Sequence, residues 1–292
     1  MFKGSIVAII TPFDEEGRFD EEAFRQLVEY QIENGTDGIV PCGSTGEAAT
    51  LDHSSHKKII RACVAQVNKR VPILAGTGSN STSEAIELTM AAKEAGADAA
   101  LLITPYYNKP SQEGLYQHFK VVAKQVALPQ MLYNVPGRTG INLDVETTVR
   151  LAEEPNILGL KDASGGVNQA GEILARTGEG FDILSGDDSL TLPFMAIGAK
   201  GVISVTANIM PAAIKTLISA IEEDRWADAR QQHYKLLDIH NIMFIESNPT
   251  PVKAALELMG ICNARVRLPL VTMQPQSVEQ LKVVMARHGL IA

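Results

Sequence analysis

A lysine closes a short apolar run, ILGLK at 157–161, and Asp162 follows it. Strand alternation puts Lys161 on the face of Gly159, opposite Leu160 and Asp162. Turned inward, its amine is desolvated, which disfavours the charged form. A neutral amine can attack a ketone and form an imine. A solvated lysine at a strand end is the plain alternative. A second run, PQMLYNVPGRTG at 129–140, carries Tyr133 and Arg138. A buried phenol can relay protons, and a guanidinium in the Pro-Gly turn can grip a carboxylate with two hydrogen bonds. A core tyrosine and a surface arginine are their ordinary counterparts.

A third run ends in PCGSTGEAAT, where Gly43 and Gly46 bracket Ser44 and Thr45 ahead of a helix. Two hydroxyls and free backbone N–H groups near a helix start suit a small anion such as a carboxylate. No GK[ST] follows, so this is not a P-loop, and GTGSNS at 76–81 lacks the third glycine of a dinucleotide fingerprint. Tyr106 and Tyr107 are adjacent and should point apart; an aromatic rim would also account for them. His53 and His56 stand three apart at a helix start, and HxxH alone is a weak metal signal that reads better as a surface pair.

These residues need a frame. Eight short runs rich in Ile, Val and Leu (5–10, 37–42, 71–76, 99–105, 129–135, 157–161, 181–186 and 201–205) have the length and composition of buried parallel strands. Helical patterns lie between them. The segments 20–34 and 83–95 stop at Gly35 and Gly96, 53–68 collects Ile59, Ile60, Cys63, Val64 and Val67 on one face, and 111–126 has Glu113 near its start. The repetition predicts an α/β fold, a TIM (β/α)8 barrel over 1–224 that carries the catalysis, with a C-terminal helical extension over 225–292. In it, helical spacing runs from 224 to 244 and again from Pro249 to about Gly260. An open doubly wound sheet is the alternative on pattern alone. In a barrel of this kind catalytic residues stand at the C-terminal ends of strands, where Lys161, Tyr133 and the 42–46 loop all lie.

Composition narrows the partners. The 292 residues carry a net charge of -8 and no run of Lys or Arg, which argues against nucleic acid. Three cysteines, Cys42, Cys63 and Cys262, without a CxxC, point to a reducing cytoplasm rather than to disulfides or a thiolate zinc site. The first apolar stretch is short and meets Pro12, so it reads as a strand rather than a signal peptide, and no segment is long enough to span a membrane.

Taken as a set, GSTGE (43–47), TPYYNKPSQEGLYQHF (104–119), YNVPGRTG (133–140), GLKDASG (159–165), SGDD (185–188) and ISVTAN (203–208) resemble, in order and spacing, the 4-hydroxy-tetrahydrodipicolinate synthase (dihydrodipicolinate synthase) family of the N-acetylneuraminate lyase superfamily. The resemblance runs from Gly4 to about Gly260. It implies a Schiff-base lyase that condenses pyruvate with L-aspartate 4-semialdehyde, the first committed step toward diaminopimelate and lysine, without metal or cofactor. It implies that Lys161 forms the imine and that Thr45, Tyr133 and Tyr107 relay protons, with Tyr107 supplied by a neighbouring subunit of a homotetramer built from two tight dimers. Ser44 and Thr45 would hold the pyruvate carboxylate, Arg138 that of the semialdehyde, and Gly186 and the Ile203 backbone would line the pocket. Lysine would inhibit at a site between subunits formed by His53, His56, Asn80, Glu84, Tyr106 and Ala49. Ser44 stands where the family usually has threonine. Ala48 stands where many inhibited members have serine, and the missing hydroxyl implies weaker inhibition. Lyases for N-acetylneuraminate or 2-keto-3-deoxy sugar acids share GSTGE and the lysine strand and are the alternative; the arginine in GRTG speaks against them. A sensor that has lost the chemistry and a metal-dependent aldolase are more distant rivals.

Overall fold

The computed structural model describes residues 2–292. Eight parallel strands form its centre: β1 (Gly4–Ala8), β2 (Gly38–Val40), β3 (Leu74–Gly76), β4 (Ala99–Ile103), β5 (Gln130–Asn134), β6 (Ile157–Asp162), β7 (Asp182–Ser185) and β8 (Gly201–Ser204). Their spatial order is β2-β1-β8-β7-β6-β5-β4-β3. A parallel bridge between Ile39 and Ile73 joins the two ends. That closure makes a (β/α)8 barrel and rules out the open doubly wound sheet. Every strand falls on one of the expected apolar runs.

Around the barrel lie α1 (Glu21–Glu33), α2 (His53–Val67), α3 (Thr82–Ala95), α4 (Gln112–Gln125), α5 (Pro136–Thr139), α6 (Val145–Ala152), α7 (Val167–Arg176), α8 (Thr191–Ala196) and α9 (Pro211–Glu222). Three C-terminal helices follow: α10 (Trp226–Ile242), α11 (Thr250–Leu258) and α12 (Pro275–Arg287). The starts are set by side-chain caps: Asp20, Asp52, Ser111 and Asp144 each accept a hydrogen bond from the backbone N–H three residues on. Gly96 ends α3 at φ +92°, a conformation that costs a residue with a Cβ.

Strand alternation sorts the apolar side chains into two layers. Ile6, Val40, Leu74, Leu101, Met131, Tyr133, Leu184 and Ile203 fill the barrel. Val7, Ile39, Leu102, Leu132, Leu160, Ile183 and Val202 face outward and pack with helix residues such as Phe24, Ile60, Phe119 and Ile173. Each such side chain contributes about 1.5–3 kcal/mol by leaving water. Leu236, Ile239, Leu256 and Leu281 of the C-terminal helices belong to the same outer cluster, so these helices are packed onto the barrel. Among the described residues no helix is long and apolar enough to cross a membrane.

Candidate active site

Lys161 points into the barrel. It is 6% exposed, while its neighbour Leu160 belongs to the outer layer, as alternation requires. In the strand register it pairs with Tyr133 on β5 and Leu184 on β7. Its Nζ lies 4.3 Å from the centroid of the Tyr133 ring. Small residues make room here. A Cβ on Gly159 would meet the Asp182 carbonyl at 2.2 Å, and one on Gly186 would meet the Ala163 Cβ at 2.8 Å. The Gly186 N–H instead donates to the Asp162 carbonyl at 2.7 Å, which holds the ends of β6 and β7 together.

Asp188 fixes the next strand end. Its carboxylate accepts from the Ser204 hydroxyl and from the backbone N–H groups of Val205 and Thr206, the last two at 2.9 and 3.1 Å. This pins the segment that follows Ile203. SGDD is visible as a motif, but sequence reasoning gives Asp188 no task, because its partners lie at and just beyond the end of β8.

The 43–47 loop stands apart from the helix, which begins at His53 as its sequence pattern predicts. The long helix does not follow it directly. A 3-10 turn, Ala48–Thr50, intervenes, and α2 begins only after Asp52. The cause is Glu47, which adopts a left-handed conformation (φ +56°, ψ +34°) and turns the chain. The loop therefore gains little from a helix dipole, which acts within the first turn. It offers instead the N–H groups of Ser44 and Thr45, which meet no acceptor among the described residues. Together with the two hydroxyls they suit a carboxylate.

Glu47 is itself locked. Its Oε1 accepts from Lys253 Nζ at 2.5 Å and its Oε2 from the Arg267 N–H at 2.8 Å. Lys253 also donates to the Arg265 carbonyl at 2.7 Å and lies 4.1 Å from the Phe13 ring centroid. Burial drives the Lys253 pKa down, and the Glu47 charge opposes that shift. Glu47 closes the GSTGE motif, but sequence reasoning gives neither residue a task, because 206 positions separate them.

Arg138 sits not in an open turn but in the single helical turn α5, opened by Pro136 and ended by Gly140 at φ +73°. Its Nη2 donates to the Asn248 carbonyl at 3.1 Å. Asn248 is 5% exposed, and its Nδ2 donates to the Thr45 hydroxyl at 3.0 Å. The C-terminal helical region thus reaches both ends of the candidate site through one residue that sequence reasoning passed over.

A cavity of 590 Å³ joins these parts. Ser44, Tyr133, Arg138 and Asn248 line it. So do His53, His56, Glu84 and Tyr106, with Ala48 and Ala49. Six candidates stay off the lining. Thr45 and Lys161 are buried and touch lining residues through Asn248 and Tyr133. Ile203 packs in the inner cluster with Tyr133, and Gly186 packs on Ala163. The Asn80 carbonyl accepts from Asn108 Nδ2 at 2.9 Å. Tyr107 is 89% exposed. No hydrogen bond joins Thr45 to Tyr133 among the described residues.

The histidine pair is split. His53 Nδ1 stands 3.4 Å from Glu87. His56 is buried, and desolvation, partly offset by the Gly76 backbone, lowers its pKa to about 4. Among the described residues no group of three His, Cys, Asp or Glu side chains could hold a metal ion.

The model of the dihydrodipicolinate synthetase family matches residues 1–288. The chain belongs to that family. It is 63% identical to the 4-hydroxy-tetrahydrodipicolinate synthase of Syntrophotalea carbinolica, over all of this chain and 99% of the relative. The crystal structure of the chloride-inhibited dihydrodipicolinate synthase of Acinetobacter baumannii, complexed with pyruvate, superposes with a TM-score of 0.98 at 49% identity over the whole of both chains. The Cyanidioschyzon merolae enzyme with lysine bound superposes with a TM-score of 0.97 at 39% identity over 99% of each chain.

Proposed function

We propose that this chain condenses pyruvate with L-aspartate 4-semialdehyde to give 4-hydroxy-tetrahydrodipicolinate. The observation that carries the reading is Lys161, buried in the barrel with Nζ 4.3 Å from the Tyr133 ring centroid. Its amine attacks the pyruvate ketone, water leaves and an imine forms. Loss of a methyl proton gives the enamine, with the imine nitrogen taking up the electron pair. The enamine carbon attacks the aldehyde. The substrate amine then displaces Lys161, closes the ring and frees the enzyme. In this reading Ser44 and Thr45 hold the pyruvate carboxylate, Arg138 holds the semialdehyde carboxylate, and Thr45, Tyr133 and Tyr107 move protons. Gly186 and Ile203 shape the wall beside Lys161.

Names of relatives at high identity support the substrate pair, and pyruvate bound in the Acinetobacter enzyme supports the first of the two. The test is turnover of both substrates coupled to an NADPH-dependent reductase of the product, with Lys161→Ala alongside. NADPH consumption by the wild type alone is expected. No consumption by either protein would return the sugar-acid lyases to first place.

We infer in addition that lysine inhibits this enzyme where His53, His56, Glu84 and Tyr106 line the cavity, supported by the lysine-bound relative. Glu84, which accepts from the Ser79 hydroxyl at 2.7 Å, would pair with an ammonium there, with His53, His56, Asn80, Tyr106 and Ala49 around it. Ala48 supplies no hydroxyl, so inhibition is weak; tight and complete inhibition in a lysine titration would contradict this. We read the assembly as a homotetramer of two tight dimers, because Tyr107 is exposed in the single chain and needs a second copy to bring it to a site. Sedimentation as a monomer would exclude it. The free thiols of Cys42, Cys63 and Cys262 suit a reducing cytoplasm. We also divide the chain into the barrel, 1–224, and the helical extension, 225–292, which supplies Asn248 and Lys253 to the site.

A further inference from the structure

The Thr45 hydroxyl has one oxygen and one proton to direct. In this chain Asn248 Nδ2 donates to that oxygen at 3.0 Å. An amide nitrogen is a donor only, so the threonine proton is not spent on Asn248. The bond is buried, with Thr45 3% and Asn248 5% exposed, and water does not readily exchange it for another geometry. The other end of the amide, Oδ1, is buried without a partner. That side chain is therefore held by its bond to Thr45 and by the backbone on either side of it. The same residue's carbonyl accepts from Arg138 Nη2 at 3.1 Å.

We propose that Asn248 is a positioning residue that sets the polarity of the Thr45 hydroxyl, leaving its proton directed into the site, where proton movement at the imine needs it. The proposal rests on the Lys161 imine reading. It assigns two separable tasks to one residue. The side chain orients Thr45, and the main-chain carbonyl steadies Arg138. A side-chain substitution touches the first and spares the second.

Asn248→Asp makes the sharper test. It keeps the shape and replaces the donor by an acceptor, so the Thr45 proton turns toward Asp and is lost to the site. Asn248→Ala removes the donor and lets water take its place. The readout is exchange of the pyruvate methyl protons in D2O, followed by NMR, which needs no second substrate. Borohydride trapping of the pyruvate adduct is measured beside it and reports that the fold and Lys161 survive. Both variants should trap pyruvate. Exchange should fall about tenfold or more in Asn248→Ala and further in Asn248→Asp, as expected for disturbed proton transfer. KM for the semialdehyde should stay within about threefold of wild type, since the backbone bond to Arg138 is kept.

Exchange within about twofold of wild type in either variant overturns the proposal. So does a loss of trapping in both, or an exchange defect that comes with an equal rise in the semialdehyde KM, because each marks general disruption. If the wild type exchanges pyruvate protons but does not turn over the semialdehyde, the condensation reading falls, and the exchange rates of the variants still decide the role of Asn248.

Discussion

Lys161 and Tyr133 are register partners on adjacent strands, and the lysine nitrogen lies 4.3 Å from the centre of the phenol ring. Anything joined to that nitrogen must lie against the tyrosine. The ring and the hydroxyl then have different tasks, the first packing and the second moving protons. Tyr133→Phe keeps the packing. Pyruvate trapping by borohydride should persist in this variant, while turnover falls about a hundredfold, the lower end for loss of a general acid–base group. Lys161→Ala should lose both. Full turnover in Tyr133→Phe would remove the hydroxyl from the mechanism.

Arg138 is held by a bond from Nη2 to the Asn248 carbonyl, which orients its planar fork toward the cavity it lines. Arg138→Ala should lower kcat/KM for the semialdehyde by about a hundredfold, equivalent to about 2.7 kcal/mol and in the range for hydrogen bonds to a charged group. Proton exchange at pyruvate should be little changed. Arg138→Lys should rescue poorly, because a point charge does not reproduce two parallel bonds. Steady-state kinetics against the semialdehyde decide it; a lysine variant with wild-type kcat/KM would mean that charge alone suffices.

The barrel was legible because its strands obey a local rule: short β-branched and Leu-rich runs bounded by turn residues. Lys161 stood out for the same reason, as a charge in an apolar strand. What stayed hidden depends on contacts across the chain. Asn248 meets Thr45 over 203 positions and Lys253 meets Glu47 over 206, and no local pattern marks either. The short helix that carries Arg138 reads as a turn from sequence alone, since Pro and Gly signal both. The 3-10 turn between the 43–47 loop and α2 depends on the left-handed Glu47, a residue type that gives no warning of that conformation.

Glu47 and Lys253 are 1% and 0% exposed at their side chains. Removing one partner leaves a buried charge unpaired, which costs about 3–5 kcal/mol. Glu47→Gln and Lys253→Met should each lower stability by roughly that amount. The double variant Glu47→Gln/Lys253→Met should be less destabilised than the sum of the two singles. Because Glu47 turns the loop that presents Ser44 and Thr45, Glu47→Gln should also raise KM for pyruvate. Urea unfolding of the four proteins measures the coupling. Additive losses would show that the pair acts as two separate residues.

Two buried histidines should make stability depend on pH. Burial lowers the pKa of His56 and of His118 from 6.5 to about 4. His118 shares its Nδ1 with the Thr82 hydroxyl at 2.9 Å and has no partner for Nε2, so a proton there would find nothing to bond. Burial pushes His240 in the same direction. Above pH 6.5 both folded and unfolded chains hold these rings neutral, and the folding free energy is unaffected. As pH falls below 6.5 the unfolded chain takes up protons that the folded chain refuses. Stability is therefore lost between pH 6.5 and about 4, by roughly 1 kcal/mol per histidine at pH 5.5 and about 3 kcal/mol at the acid end. Urea midpoints measured at pH 7.5 and 5.5 should differ accordingly. His118→Gln, which can keep the bond to Thr82, should flatten the slope by the share of one histidine. A midpoint that does not move between pH 7.5 and 5.5 would show that these rings are protonated as easily in the folded chain as in water.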